Sequence, residues 1–298
     1  MRTIAITGAS GFVGTALSSL LKKAGARVRP LVRPGKHGLD GINWDPEQGT
    51  IDAKALEGVD AIVHLAGDGV ADGRWTEAKK NRIRDSRVRG TELLARAITG
   101  LTLKPSVWLS GSAIGYYGNR GDEELDERAS AGADFLAEVC KEWEAAAEPA
   151  RAAGVRVVHP RFGIVLAPHG GALRKMLTPF KLGVGGKLGD GSQYMSWIAL
   201  EDTVRALVHA LDHKELSGPM NVTAPTPVRN EAFTKALGAA LHRPTVFPLP
   251  GPIARLALGE MADVALLSGQ RVLPRQLLAT GFQFEHPELA PYLSRVLA

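Results

Sequence analysis

The chain of 298 residues has one cysteine, Cys140, so no intramolecular disulfide can form and no cysteine cluster can hold zinc. Aromatic residues make up only 6%, and tyrosine is the rarest of them, at positions 116, 117, 194 and 292. No stretch sustains the ~18 consecutive apolar residues of a membrane span. The first residues, MRTIAITG, enter an apolar strand at once and lack the charged, apolar and small-residue regions of a signal peptide. Internal repeats and low-complexity tails are also missing. These absences lead to the expectation of a soluble, cytoplasmic protein in a reduced compartment, with no membrane partner and no bound metal. Charge of neither sign dominates: 36 Lys and Arg stand against 31 Asp and Glu, a formal +5. Such an excess suits an anionic ligand without requiring nucleic acid.

What is present is an alternation of short apolar runs with longer helical patterns. Residues 3–7, 27–32, 60–65, 106–109 and 155–159 read as strands, and 12–24, 76–98 and 131–153 as helices. This alternation implies βαβ units and an α/β fold, a Rossmann-type doubly wound parallel sheet covered on both faces. Residues 167–193 are glycine-rich and read as loops near a ligand or at a domain junction. Residues 197–211 return to a helical pattern, 219–223 form a short strand, and the chain from 228 on is mostly helical. The expected division is a nucleotide-binding domain over 1–165, with 195–224 returning to it. A smaller, mostly helical substrate domain would comprise 166–194 and 225–298.

Directly after the first strand, Gly8, Gly11 and Gly14 lie at GxxGxxG spacing and open a helix. Glycine there permits a tight turn and close approach to a pyrophosphate, which the helix N-terminus attracts through free N–H groups and its dipole. The loop therefore predicts a dinucleotide site that includes Phe12 and Val13. A carboxylate at the end of the second strand would bind the ribose of NAD, but this strand ends in Arg33 and Pro34, which favours the 2′-phosphate of NADP(H). Lys36 is close enough in sequence to add charge. Residues 79–91, KKNRIRDSRVRGT, are strongly cationic, but their charges spread around the helix. They read as a solvated face with one or two arginines turned toward the cofactor, and no nucleic-acid partner is expected.

TGASGFVG, HLAG at 64–67 and SGSAIGYYG at 110–118 resemble the extended, epimerase-type short-chain dehydrogenases/reductases. RFGIVLAPHGGAL at 161–173, residues 179–202 and GQRVLPRQLLATGFQFEHPEL at 269–289 are similar to an atypical epimerase-like branch with its own short C-terminal domain. The resemblance covers nearly the whole chain. It implies a Rossmann-type fold, NADP(H) as cofactor, and a cleft for a small-molecule substrate that it does not identify. By motif, Gly8, Gly11 and Gly14 would cradle the pyrophosphate, and Arg33 and Pro34 would flank the 2′-phosphate. His64, Leu65, Ala66 and Gly67 would line adenine and ribose, Arg87 would reach the cofactor, and Ile164 would sit by the nicotinamide. Ser112 stands where the family's serine holds the substrate oxygen, in a loop to Tyr117 one residue longer than usual.

One family feature is missing altogether. Working members carry a tyrosine and a lysine four apart on one helix face, the lysine lowering the phenol's pKa for proton transfer. Here the four tyrosines are followed four residues on by Arg120, Gly121, Ile198 and Val296. With Glu144 aligned to the glutamate that follows the family's lysine, Leu136 stands at the tyrosine and Cys140 at the lysine. Phe135, Leu136, Val139, Cys140, Trp143 and Ala147 form an apolar stripe at helical spacing, so Cys140 reads as packing or, if its pKa were lowered, as a nucleophile. Tyr116 or Tyr117 is the expected substitute proton donor. Two readings stand: an NADP(H)-dependent oxidoreductase or epimerase, or a catalytically silent NADP(H)-binding redox sensor or regulatory protein.

Overall fold

The computed structural model describes residues 1–34, 41–71 and 73–298. The first part alternates β1 (Thr3–Thr7), α1 (Phe12–Lys23), β2 (Arg27–Val32), β3 (Ile42–Asp45), β4 (Thr50–Ile51), β5 (Ala61–His64), α2 (Glu77–Gly100), β6 (Val107–Ser110) and β7 (Ser112–Ala113). It continues through β8 (Glu124–Leu125), α3 (Phe135–Ala145), α4 (Glu148–Ala152), β9 (Arg156–Phe162), β10 (Ile164–Ala167) and α5 (Gly171–Lys181). There follow β11 (Tyr194–Met195), β12 (Trp197–Ala199), α6 (Leu200–Asp212), β13 (Gly218–Val222), β14 (Val228–Arg229) and α7 (Asn230–Ala240). The last elements are α8 (Gly251–Leu258), β15 (Arg271–Val272), α9 (Arg275–Ala279) and α10 (Leu289–Leu297).

The main sheet runs β13-β9-β6-β5-β1-β2-β3-β4, with β7 added beside β9. Every pairing in it is parallel except β3 with β4. The fold is thus the expected Rossmann-type α/β sheet. The strand order reverses between β1 and β5, and ligands of such sheets bind at the carboxyl ends beside that switch point. The strands are apolar on both faces because both are covered. Ile4, Ile6, Val63, Leu109 and Met220 pack under α1 and α6, while Ala5, Ile62, Trp108 and Val157 pack with residues of α2.

Four sequence expectations need correction. The helix expected over 131–153 begins only at Phe135, capped by Asp134, and is divided by a turn at Ala146 and Ala147 into two helices, the second with Pro149 in its first turn. The loop expected over 167–193 contains α5, whose Leu173, Leu177 and Phe180 are buried together. Its glycines flank the helix rather than dissolve it. The helix expected from Trp197 starts at Leu200, since Trp197–Ala199 pairs in parallel with β10. Strand β9 extends to Phe162, three residues past the expected end. A separate apolar cluster joins Leu166, Leu173, Phe180, Trp197, Phe233, Leu237, Tyr292 and Leu293.

Candidate functional site

The tip of β1 is built around Thr7. Its Oγ1 accepts the Leu65 and Ala66 N–H groups at 3.0 and 3.2 Å and lies 2.7 Å from His64 Nδ1. Both lone pairs being used, the hydroxyl proton goes to Nδ1 and the ring proton sits on Nε2. This ties the glycine turn to the HLAG turn. His64 is fully buried, and burial pushes its pKa down to about 3. The ring has no surface to offer adenine or ribose, so the expected cofactor contact of His64 is corrected to a structural one. Leu65 and Ala66 are half-buried and Gly67 is exposed, which leaves the HLAG turn itself facing outward.

The three loop glycines divide the work. Gly8 has φ +65°, and a β-carbon on it would meet the Leu65 carbonyl carbon at 2.9 Å. Gly11 is the N-cap of α1 and has no capping side chain, so the first-turn N–H groups, including those of Phe12 and Val13, remain available to an anion. Gly14 is buried, and a β-carbon there would lie 2.1 Å from the Gly8 oxygen. Gly14 therefore brings helix and turn together and does not itself face a pyrophosphate, contrary to the expectation. Phe12 turns its ring to His169, at 5.8 Å, and closes over Gly170 and Gly171.

Arg33 and Pro34 are exposed at the end of β2, with Arg33 3.7 Å from Glu47, a loose pair that a phosphate can displace. Lys36 lies outside the described residues. Arg87 donates to the carbonyls of Asp68 and Ile83 at 3.1 and 3.0 Å and covers Trp143 at 5.1 Å. A β-carbon on Gly67 would sit 3.3 Å from its guanidinium carbon, so Arg87 lies directly beneath the HLAG turn. Of the other α2 cations, Lys79 is buried against Asp68, while Lys80, Arg84 and Arg89 pair with Glu260, Glu142 and Asp85. Ile164 opens β10, half-buried, with its N–H on the Ser196 carbonyl. These groups fit a dinucleotide diphosphate: a glycine turn without side chains, an uncapped helix start and a basic residue at the second strand end.

The expected catalytic residues converge on a buried polar network. Register sets Ser112, Arg161 and Asn221 side by side on β7, β9 and β13. Ser112 Oγ donates to Glu144 Oε1 at 2.7 Å, and Arg161 grips both Glu144 oxygens at 2.8 Å. Arg161 also donates to the Tyr117 hydroxyl at 3.0 Å, which in turn donates to Asn221 Oδ1 at 2.7 Å. Tyr117 is fully buried, and burial raises its pKa to about 12 despite the Arg161 charge. It cannot give a proton to a ligand, and that expectation is corrected. Tyr116 is half-buried with its ring face 3.5 Å from the Arg161 guanidinium. Ser112, 2% exposed, keeps a sliver of surface.

Where the family's tyrosine would stand, Leu136 belongs to an apolar group with Val70, Trp75, Val139, Leu258 and Met261. Cys140 is buried with its thiol on the Ala113 carbonyl at 3.8 Å, and burial pushes the thiol up to about 12. Packing, not nucleophilic chemistry, is its role. Lys141 points away and pairs with Glu138 at 3.0 Å.

Sequence reading missed Arg161, Asn221 and Glu127, and used Glu144 only to set the alignment. Glu127 Oε1 accepts the backbone N–H groups of Asn221 and Gln276, linking this network to the C-terminal segment. The available signal was Arg161 itself, a guanidinium ending the strand VRVVHP, which lies between β13 and β6. A charge so placed must find a buried partner.

Comparisons with known proteins bear on the fold and the family. Residues 4–223 match the model of the "NAD dependent epimerase/dehydratase family", and 249–296 match a "Domain of unknown function (DUF1731)". The chain is 47% identical over 283 residues to the epimerase family protein MT2273 of Mycobacterium tuberculosis, covering 95% of this chain and 93% of that one. It is 38% identical over 300 residues to the human epimerase family protein SDR39U1, covering 99% of each. The crystal structure of the human protein with NADPH superposes with a TM-score of 0.90 over 99% of both chains. A UDP-glucose 4-epimerase from Thermotoga maritima shares the fold at 16% identity and a TM-score of 0.77.

Proposed function

Since this chain belongs to the NAD dependent epimerase/dehydratase family, we propose that it is an NADP(H)-dependent oxidoreductase or epimerase of a small carbonyl or alcohol. It works without the Tyr-x-x-x-Lys pair. The cofactor, when bound, supplies hydride acceptance or donation. The first-turn N–H groups of α1 hold the diphosphate, Arg33 and Pro34 flank the 2′-phosphate, and Arg87 supports the HLAG turn. Residues 166–194 and 225–298 provide the substrate side of the site.

The Ser112–Glu144 hydrogen bond carries this reading. With its proton directed at Glu144, Ser112 offers a lone pair to a substrate hydroxyl. As the alcohol carbon gives up hydride, the hydroxyl proton moves to Ser112 while the Ser112 proton moves to Glu144; reduction runs the same transfers backwards. Arg161 holds both Glu144 oxygens and so fixes the carboxylate against Ser112. Screening carbonyls for NADPH oxidation tests the reading. Ser112→Ala and Glu144→Gln should each lower kcat by about a hundredfold, the usual size of a general acid–base contribution, while leaving NADPH binding in place. Full activity in Ser112→Ala would sink the relay.

The Leu136 and Cys140 surroundings favour a second reading, the catalytically silent redox sensor, because no phenol or ammonium group stands where the family's pair acts. A sensor must bind NADPH and NADP⁺ with different affinity. Differential binding together with inactivity across the carbonyl screen would support it over the enzyme.

A further inference from the structure

Among the stretches of the chain without Asp or Glu, two come together in space. Residues 171–187 carry Arg174, Lys175, Lys181 and Lys187, and residues 232–259 carry Lys235, Arg243 and Arg255. In a protein whose charges are nearly balanced, this is a local excess of one sign. The stretches are far apart in sequence but stitched together in space. Arg243 Nε donates to the Lys181 carbonyl at 3.0 Å, and Leu249 N–H to the Lys187 carbonyl at 2.9 Å. A β-carbon on Gly186 would collide with the Phe247 carbonyl oxygen, so the two backbones run in contact. Lys187, Val246 and Pro248 line one shared recess.

The same region holds most of the molecule's exposed large apolar side chains among the described residues. Leu182 is 72% exposed, Val246 69%, Phe247 58% and Leu256 79%, with Val184 and Ile253 also more than half exposed. Scattered exposed apolar residues need no explanation, but a group of six projecting from two adjoining loops and from α8, which follows the second loop directly, does. Each of the six is more than half exposed and projects into solvent as a prong. Two of the cations are paired: Glu231, which lines the same recess, binds Lys235 at 2.8 Å, and Asp263 binds Arg255 at 2.7 Å. Lys175 donates to the Ala71 carbonyl. Arg174, Lys181 and Arg243 are exposed.

We propose that this face docks on the surface of an anionic phospholipid bilayer, with the apolar prongs entering the headgroup–acyl boundary and the surrounding cations meeting lipid phosphates. Apolar burial plus attraction to anionic lipid is the combination that holds proteins at membrane surfaces. The expectation of no membrane partner rests on the lack of a span, and a surface contact needs none; among the described residues no helix is long and apolar enough to cross. None of these residues belongs to the Ser112 network.

Vesicle co-sedimentation of the full chain tests it, using phosphatidylcholine alone and phosphatidylcholine with about one-third phosphatidylglycerol. Binding to the mixed vesicles, little to phosphatidylcholine, and weakening with added salt are expected. Phe247→Ser with Leu256→Ser, both exposed and thus tolerated by the fold, should reduce binding at least about tenfold, and Lys181→Glu by roughly tenfold. Retained NADPH affinity and an unchanged Tm show that these variants are folded. No binding, equal binding to both vesicle types, or wild-type binding in the variants overturns the proposal. A concentration-dependent dimer in sedimentation that is lost in Phe247→Ser/Leu256→Ser, without vesicle binding, would assign the face to a second copy instead.

Discussion

Glu144 holds Arg161 with both carboxylate oxygens, each 2.8 Å from a guanidinium nitrogen, and the Arg161 side chain is only 3% exposed. The pair sits where α3 meets the carboxyl end of β9, and through it Ser112, Tyr117 and Asn221 are fixed relative to one another. A family motif that would present a phenol and an ammonium group is replaced by an internal ion pair and an apolar helix face. Several measurable consequences come from this replacement and from the turns around it.

Removing one member of the ion pair strands the other in a buried setting. Arg161→Leu or Glu144→Ala should each cost about 3–5 kcal/mol by urea unfolding, and the double variant should cost much less than their sum. Strict additivity would show that the two side chains do not depend on each other.

Gly14 and Gly25 make a matched pair. A methyl group on Gly14 meets the Gly8 oxygen at 2.1 Å, whereas Gly25 has φ +82° and nothing within 4 Å of its β-carbon. Gly14→Ala should cost more than about 2 kcal/mol and abolish NADPH binding, since the turn must move. Gly25→Ala should cost about 1 kcal/mol of backbone strain and leave binding intact.

Arg33→Glu tests the 2′-phosphate. The side chain is exposed and only loosely paired with Glu47, so the fold should tolerate the change. NADPH affinity should drop at least about tenfold, the loss of a charge-assisted contact, with NADH affinity nearly unchanged. Fluorescence titration with both dinucleotides reads the difference, and an equal loss for the two would exclude a 2′-phosphate role.

Acid should destabilise the protein well before its carboxylates titrate. Burial lowers His64 to about 3 and His159 to about 4, from an ordinary 6.5. Below about pH 6.5 the unfolded chain takes up protons that the folded rings refuse, so stability present above that pH is lost progressively down to the folded values. Each histidine should contribute up to about 1.4 kcal/mol per pH unit within its window. Urea unfolding at stepped pH values, repeated in His159→Asn, should show a shallower slope in the variant.

Cys140 should resist a disulfide reagent in the native protein and react fully once unfolded, because its thiol is buried and pushed up to about 12. Rapid native labelling would contradict its burial. Cys140→Ala should cost about 1–2 kcal/mol through the lost packing and leave NADPH binding unchanged.

Local chemistry determined the parts of this protein that were legible from the chain alone. The run TIAITGASGFVG specifies strand, turn and helix start within a dozen residues, because the glycines and the apolar period act on their immediate neighbours, and β1 and β2 begin and end where the pattern says. The stripe of Val139, Cys140 and Trp143 is likewise a matter of helical spacing, and its burial follows. Tertiary structure alone decided what those elements do together. Ser112, Arg161 and Asn221 lie far apart in sequence and meet only because parallel register places them at one level of the sheet. That register closes Tyr117 off from any ligand and turns a candidate acid into a buried strut. His64 follows the same logic: its motif marks a ligand-binding turn, while the pairing of β5 with β1 directs its ring onto Thr7 and into the interior. Which side of a strand reaches a cleft depends on long-range strand pairing, and no short window of sequence contains it.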